Sequence, residues 1–213
     1  GLARGGLRPV VAVYSTFMQR AFDQVFHELA LQKLPVVLCM DRAGLVGSDG
    51  AVHHGFADLA LMRLLPGVTV MAPADAAELR AAMKLALSLE GPSAIRYPRD
   101  EVGDALPGEC PPFEPGKARV VLEGDDATIL CCGTTVEPAM AAARILAQEK
   151  GLKLAVLNAR FVKQLDVVLI ARLIKTGRPM LVCEDHSVIG GFGSAVLELA
   201  ASRGLDASGV RLL

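Results

Sequence analysis

Short unbroken apolar runs alternate along this chain with longer stretches in which apolar residues recur every three or four positions. Strands buried on both faces produce the first pattern, and amphipathic helices the second. Pro-Val-Val-Ala-Val at 9–13 predicts a strand. A helix follows to about Gln32, with Ser15 or Thr16 as its cap and Phe17, Ala21, Val25 and Leu29 as its buried face. Pro-Val-Val-Leu-Cys-Met at 35–40 predicts a second strand. Beyond it come a short helix over 56–65, a strand over 68–71 and a helix from Asp75 to about Leu89. Asp75 and Glu78 have the spacing of a capping box. Ser-Ala-Ile-Arg-Tyr at 93–97 predicts a strand that Pro98 ends.

After Pro98 the period disappears. Pro107, Pro111, Pro112 and Pro115 lie among acidic residues and glycines, the composition of an interdomain linker. Alternation then resumes, with strands over 120–122 and 128–132 and a helix capped by Thr134 or Thr135 running to about Lys150. A strand over 154–157, a helix over 166–175, a strand over 180–183 and a helix from Gly190 to about Arg203 complete the series. The fold class implied is α/β: two consecutive domains with mostly parallel sheets flanked by helices. Their expected bounds are 1–98 and 117–213, with 99–116 as the proline-rich linker. Residues 210–213 look like the start of a further strand, and the opening Gly-Leu-Ala-Arg-Gly-Gly lacks an initiator Met, so the chain reads as a fragment.

Composition narrows the function classes. Hydrophobic residues make up 52%, and mean hydropathy is +0.42. Buried parallel sheets account for part of that, and a subunit interface would account for the rest. A net charge of −1, with no Trp and two Tyr, argues against a nucleic-acid partner. No apolar run approaches the ~18 residues of a membrane span, and there is no signal-peptide pattern. The five cysteines, 39, 110, 131, 132 and 183, form no CxxC pair and read as reduced thiols, as in a cytoplasmic protein. No metal site is expected from these residues.

Candidate chemistry gathers in 41–55, Asp-Arg-Ala-Gly-Leu-Val-Gly-Ser-Asp-Gly-Ala-Val-His-His-Gly, directly after a predicted strand. Loops at the carboxyl ends of parallel strands are where α/β sheets hold ligands. Arg42 and Arg99 each lie just past a strand end, as a pair of guanidinium groups for a phosphate or carboxylate or as two surface arginines. Asp49 and His53 have the groups for proton transfer or hydroxyl binding, while His54 fits a solvent-facing position equally well. Tyr14 and Arg20, at the end of the first strand and on the following helix, are harder to explain as packing. Phe17 fits either core or ligand contact. Gly-Phe-Gly at 191–193 lacks the third glycine of a dinucleotide fingerprint and reads as a tight helix entry. His186 is a candidate for an interface, and His27 is assigned to packing.

Three blocks resemble the 1-deoxy-D-xylulose-5-phosphate synthases, thiamine diphosphate enzymes of the transketolase superfamily. They are Tyr-Ser-Thr-Phe-Met-Gln-Arg-Ala-Phe-Asp-Gln at 14–24, the 41–55 block, and Gly-Pro-Ser-Ala-Ile-Arg-Tyr-Pro-Arg at 91–99. The likeness continues through Arg-Phe-Val-Lys at 160–163, Leu165-Asp166 and Gly-Gly-Phe-Gly-Ser at 190–194. It implies a pyrimidine-binding domain followed by a transketolase C-terminal-like domain, the latter truncated. It also implies joining of a two-carbon unit from pyruvate, with loss of CO2, to glyceraldehyde 3-phosphate, feeding isoprenoid, thiamine and pyridoxal biosynthesis. By matching motif, Arg42 and Arg99 would hold the acceptor phosphate with Tyr14 alongside. Asp49 would bond an acceptor hydroxyl, and His53 would assist binding or proton transfer. Phe17 would pack on the aminopyrimidine, with Arg20 near it.

The resemblance also implies a homodimer and two cofactors, thiamine diphosphate and Mg2+, held mainly by regions this sequence does not contain. The family's cofactor-activating glutamate, in an Ala-Glu-Gln-His-Ala motif, is among the missing parts, and Glu28 is no substitute for it. The expectation is an enzyme part that is inactive without an N-terminal partner region. Competing readings are a 2-oxoacid dehydrogenase β subunit, a non-catalytic dimerisation fragment and a nucleotide-binding oxidoreductase.

Overall fold

The computed structural model describes residues 1–213 and contains two five-stranded sheets. In the first sheet the strands lie in the order β1-β2-β4-β3-β8. These are β1 (Val10–Tyr14), β2 (Val37–Asp41), β3 (Thr69–Met71) and β4 (Ser93–Arg96), with β8 (Phe161–Lys163) arriving from far along the chain. The first four strands are parallel; β8 is antiparallel to β3. In the second sheet the order is β10-β9-β6-β7-β5. Its members are β5 (Arg119–Leu122), β6 (Ala127–Cys131), β7 (Leu154–Asn158), β9 (Met180–Cys183) and β10 (Val210–Leu212), with only β5 antiparallel. The α/β reading with mostly parallel sheets therefore holds.

Helices form where the 3.6-residue period and the caps agree. Helix α4 (Ala76–Ser88) starts at Asp75, whose carboxylate accepts the Glu78 N–H at 2.7 Å. In α6 (Val167–Lys175) Asp166 does the same for Leu169 at 3.0 Å. Helices α3 (Asp58–Leu64), α5 (Val136–Lys150) and α7 (Phe192–Ser202) also match the predicted positions. None of the helices is long and apolar enough to cross a membrane.

The helix after β1 is where the structure departs most from expectation. Residues 15–30 run as α1 (Ser15–Met18), a 3-10 turn, α2 (Phe22–Gln24) and a π-helical stretch Val25–Ala30. Neither Ser15 nor Thr16 caps it: the cap position is Tyr14, with no side-chain bond. Ala21, Val25 and Leu29 still pack against the core as the fourfold spacing expects, and Phe17, before the 3-10 turn, is the member that does not. Val25 is buried, whereas Phe17 is 48% exposed. His27 is not packed inside either; its ring is on the surface beside Asp23.

Residues 99–116 contain no helix or strand, yet Leu106 and Phe113 are buried. The Leu106 N–H donates to Asp75 at 2.9 Å. The core is shared between the halves: Leu59, Met62 and Val70 belong to one apolar cluster with Leu157, Phe192 and Val196. All five cysteines are free thiols, Cys110 half-buried and the others buried.

Candidate active site

Strands β1, β2 and β4 are neighbours in parallel register, with Tyr14 opposite Asp41 and Met40 opposite Arg96. Their carboxyl ends therefore deliver Tyr14, Arg42 and the 97–99 segment to one edge of the sheet. Arg42 takes a left-handed backbone, φ 55°, a conformation that costs a non-glycine residue about 1 kcal/mol or more. The Asp41 carboxylate, 2.6 Å from the Arg42 N–H, helps hold that turn.

The Asp49 carboxylate accepts from both Arg42 and Arg99, one oxygen to each. The other Arg42 terminal nitrogen donates to the Tyr14 hydroxyl at 2.7 Å, and the guanidinium lies over the Tyr14 ring at 4.0 Å. Arg42 Nε is buried without a partner. Partial desolvation works against the Arg42 charge, but the hydrogen bond and charge of Asp49 outweigh it and hold the pKa above its ordinary value.

Aromatic rings continue the cluster outward. Tyr14 and Phe17 stack at 5.2 Å, and His53 stands edge-on to both, at 6.3 and 5.8 Å. His53 Nδ1 is 2.9 Å from the Asp49 carbonyl. A carbonyl only accepts, so Nδ1 carries a proton and, in the neutral ring, Nε2 is the acceptor. Tyr14, Phe17, Arg42, Asp49, His53 and Arg99 thus occupy one site. Arg20 does not join them; it is exposed on the 3-10 turn beyond α1, and no hydrogen bond or ion pair holds it. His54 faces inward, its Nδ1 accepting the Val46 N–H at 3.1 Å.

The second half of the chain reaches this site through the 184–186 loop, of which the sequence singled out only His186, as a candidate for an interface. The Asp185 carboxylate accepts the Leu45 N–H at 3.1 Å. Arg96 donates to Asp58 at 2.8 Å and to the Asp185 carbonyl. The His186 side chain is fully buried, Nε2 3.4 Å from Asp58. Glu184 accepts the Phe192 and Gly193 N–H groups at 2.6 and 2.8 Å, so the glycine-flanked entry to α7 is filled by a carboxylate of the chain itself. That is the tight helix entry expected, and it leaves no seat for a dinucleotide phosphate. No group of three or more His, Cys, Asp or Glu side chains is placed to hold a metal ion.

A flat ring and an anion are the ligands this surface suits. Phe17 and Tyr14 offer a stacked, partly open aromatic face, and the arginines retain donors beyond those Asp49 occupies.

The transketolase pyrimidine-binding domain family matches residues 1–104, and the transketolase C-terminal domain family matches 116–213. The chain is 51% identical over 213 residues, all of its length, to 1-deoxy-D-xylulose-5-phosphate synthase 1 of Geobacter sulfurreducens, covering 33% of that protein. Against the 1-deoxy-D-xylulose-5-phosphate synthase of Thermomicrobium roseum it is 52% identical over 207 residues, 96% of this chain and 33% of the other. It therefore spans about a third of the length of the curated relatives it matches. Among solved structures, a split gene transketolase, an inactive β4 tetramer, superposes with a TM-score of 0.83 at 35% identity, over 94% of this chain and 65% of that one. A Pichia stipitis transketolase in complex with sedoheptulose 7-phosphate shares the fold, with a TM-score of 0.72 at 24% identity over 85% of this chain and 27% of that one. Matched across both halves, the chain belongs to the 1-deoxy-D-xylulose-5-phosphate synthase family and carries that family's pyrimidine-binding and C-terminal transketolase domains.

Proposed function

We propose that this chain supplies the acceptor-binding and pyrimidine-facing side of a thiamine diphosphate-dependent synthase. The reaction condenses pyruvate with glyceraldehyde 3-phosphate to 1-deoxy-D-xylulose 5-phosphate and CO2. The observation that carries the reading is the convergence of Arg42 and Arg99 on one carboxylate beside the Tyr14 hydroxyl. An acceptor phosphate entering there takes the donors that Asp49 does not use, chiefly those of the half-exposed Arg99. Asp49, with its charge shared between two guanidinium groups, bonds an acceptor hydroxyl. His53 Nε2 accepts a hydrogen bond from substrate or moves its proton.

Thiamine diphosphate, when bound, supplies the carbon nucleophile that takes the two-carbon unit. Phe17 would pack on its pyrimidine ring, with Arg20 near it. Mg2+ and the diphosphate are held mainly by residues outside these 213. The domains run 1–98 and 117–213, with 99–116 between them. The assembly is a homodimer, and the isolated chain has no turnover without a partner region carrying the cofactor-activating glutamate.

The test is steady-state kinetics on the intact polypeptide bearing these residues, with thiamine diphosphate and Mg2+. Arg42→Ala and Arg99→Ala each raise the KM for glyceraldehyde 3-phosphate by about tenfold to a hundredfold, the cost of one charge-assisted hydrogen-bonding group. The KM for pyruvate does not move. Unchanged acceptor KM values in both variants would remove the phosphate assignment.

One solved relative favours a second reading. The split gene transketolase that superposes on this chain is an inactive tetramer of its β chain. By that analogy these 213 residues alone form a self-associated, inactive assembly. Sedimentation of the isolated chain beside the same assay separates the cases: turnover by the isolated chain contradicts both readings.

A further inference from the structure

The loop that carries the site chemistry is closed at its neck. Gly44 and Gly55 form an isolated antiparallel bridge, with the Gly55 N–H donating to Gly44 O at 2.8 Å and the Gly44 N–H to Gly55 O at 3.3 Å. Asp49 and His53 lie inside the closed ring, and Arg42 precedes it by two residues. The neck is gripped from both sides. A Cβ on Gly55 would lie 2.4 Å from Ser15 Oγ, and one on Gly44 would lie 1.8 Å from an Asp185 carboxylate oxygen. Gly44 also has φ +72°, which a side chain disfavours. The other Asp185 oxygen accepts the Leu45 N–H.

Asp185 belongs to the loop after β9, in the other half of the chain, and its own position is set by buried charge. Arg96 donates to the Asp185 carbonyl and to Asp58, which is fully buried and also faces His186. Glu184, the preceding residue, is tied to the start of α7. The residue whose carboxylate touches the neck is therefore held, through its backbone carbonyl, by a β4 arginine three residues before Arg99.

We propose that Asp185 is a positioning residue for the acceptor site: the C-terminal half sets the conformation of the 44–55 ring, and through it the placing of Arg42 and Asp49. The inference rests on the acceptor-site reading above for its kinetic consequence, but its structural content stands apart from it. Acceptor recognition then depends on the docking of a half of the chain that contributes none of the six clustered site residues.

Two variants of the intact polypeptide test this. Asp185→Ala speeds amide hydrogen exchange in 44–55, leaves the melting temperature unchanged and raises the glyceraldehyde 3-phosphate KM about tenfold, the size of one lost charged acceptor. The pyruvate KM stays fixed. Asp185→Asn keeps an oxygen for the Leu45 N–H and returns both readouts to within about threefold of the parent. Unchanged exchange in 44–55 overturns the proposal. So does faster exchange spread over the whole chain with both KM values raised, since that is the mark of a merely structural contact. Faster local exchange with an unmoved acceptor KM, where Arg42→Ala raises it, overturns the link from loop to site. If Arg42→Ala and Arg99→Ala are both silent, the acceptor-site reading is what fails; it takes the kinetic half with it, and the exchange result alone decides the loop-holding half.

Discussion

The protein contains the same small device twice: a single carboxylate between two arginines, one of which takes a left-handed backbone. In the candidate site Asp49 stands between Arg42, φ 55°, and Arg99. At the junction of the two sheets Glu78 stands between Arg160, φ 59°, at 3.0 Å and Arg119 at 3.5 Å. The surroundings differ completely. Glu78 is fully buried and also accepts from Asn158 Nδ2 at 2.7 Å and from the Ala74 N–H at 3.1 Å. Its arginines spend their remaining donors on carbonyls of the proline-rich segment: Arg119 on Pro107, Arg160 on Pro111 and Pro112. Phe113 closes that arrangement, its ring 4.5 Å from the Arg160 guanidinium. In the Asp49 cluster the exposures are 20% for Arg42 and 51% for Arg99, and Arg42 Nε has no partner. A saturated, dry triad can only hold structure together; an open, undersatisfied one can bring in a ligand anion.

The contrast is broken most directly at Glu78. Glu78→Ala leaves two buried guanidinium groups without their anion, and about 3–5 kcal/mol of stability is expected to go, read as a lower urea midpoint. Glu78→Gln, which keeps the hydrogen-bond geometry without the charge, loses less. A loss no greater than that of Asp49→Asn would show that the two triads do not differ as described.

A smaller effect concerns pH. Burial pushes the Cys132 thiol up to about 12, with Arg96 pulling the other way, and burial raises Cys131 likewise. The folded chain keeps these protons, while the unfolded chain gives them up above the ordinary value of 9.0. Their contribution is therefore whole below pH 9.0 and shrinks as pH rises toward the folded value, by about 1.4 kcal/mol per pH unit per thiol. Cys132→Ala flattens the fall in urea midpoint above pH 9.0; an unchanged slope would mean that the thiol is not held protonated.

The least effect on stability is expected at Asp49. Asp49→Asn changes it by about 1 kcal/mol or less, since the partners remain in contact with water. What should move instead is anion affinity: calorimetry is expected to show inorganic phosphate binding tighter by about threefold to tenfold once the competing charge is gone. Weaker binding would mean that Asp49 organises the arginines more than it competes with the anion.

Much of this architecture is written in apolar runs long enough to show a period. The strands at 37–41, 93–96 and 154–158 and the helices at 76–88 and 136–150 all lie where patterning expects them. The 41–55 loop is legible because it follows a strand and mixes small residues with titratable ones. Phe17 is only half legible: its spacing fits the core face as well as a ligand contact, and the structure leaves it 48% exposed beside Tyr14. Strand β8 has three residues, too few to show alternation, and forms because β3 offers it an edge. Glu78 reads as half of a local cap, whereas its main partners lie 41 and 82 residues away. Asp185 is hidden more deeply, since its partner is a backbone N–H 140 residues distant and every residue but proline has one. The nearest local sign of it was Gly44, a position kept bare because something else fills the space.

Because β8 lies beyond the proline-rich segment and yet finishes the first sheet, the two halves are dovetailed rather than strung together. Cutting the gene within 99–116 would yield a first piece with the β3 edge uncovered, and unpaired edges invite foreign strands. A proteolytic nick in the same segment is a different event, because the finished joint of sheet, shared core and Glu78 remains in place. The chain can therefore tolerate being cut after folding at a point where it would not tolerate being divided before it.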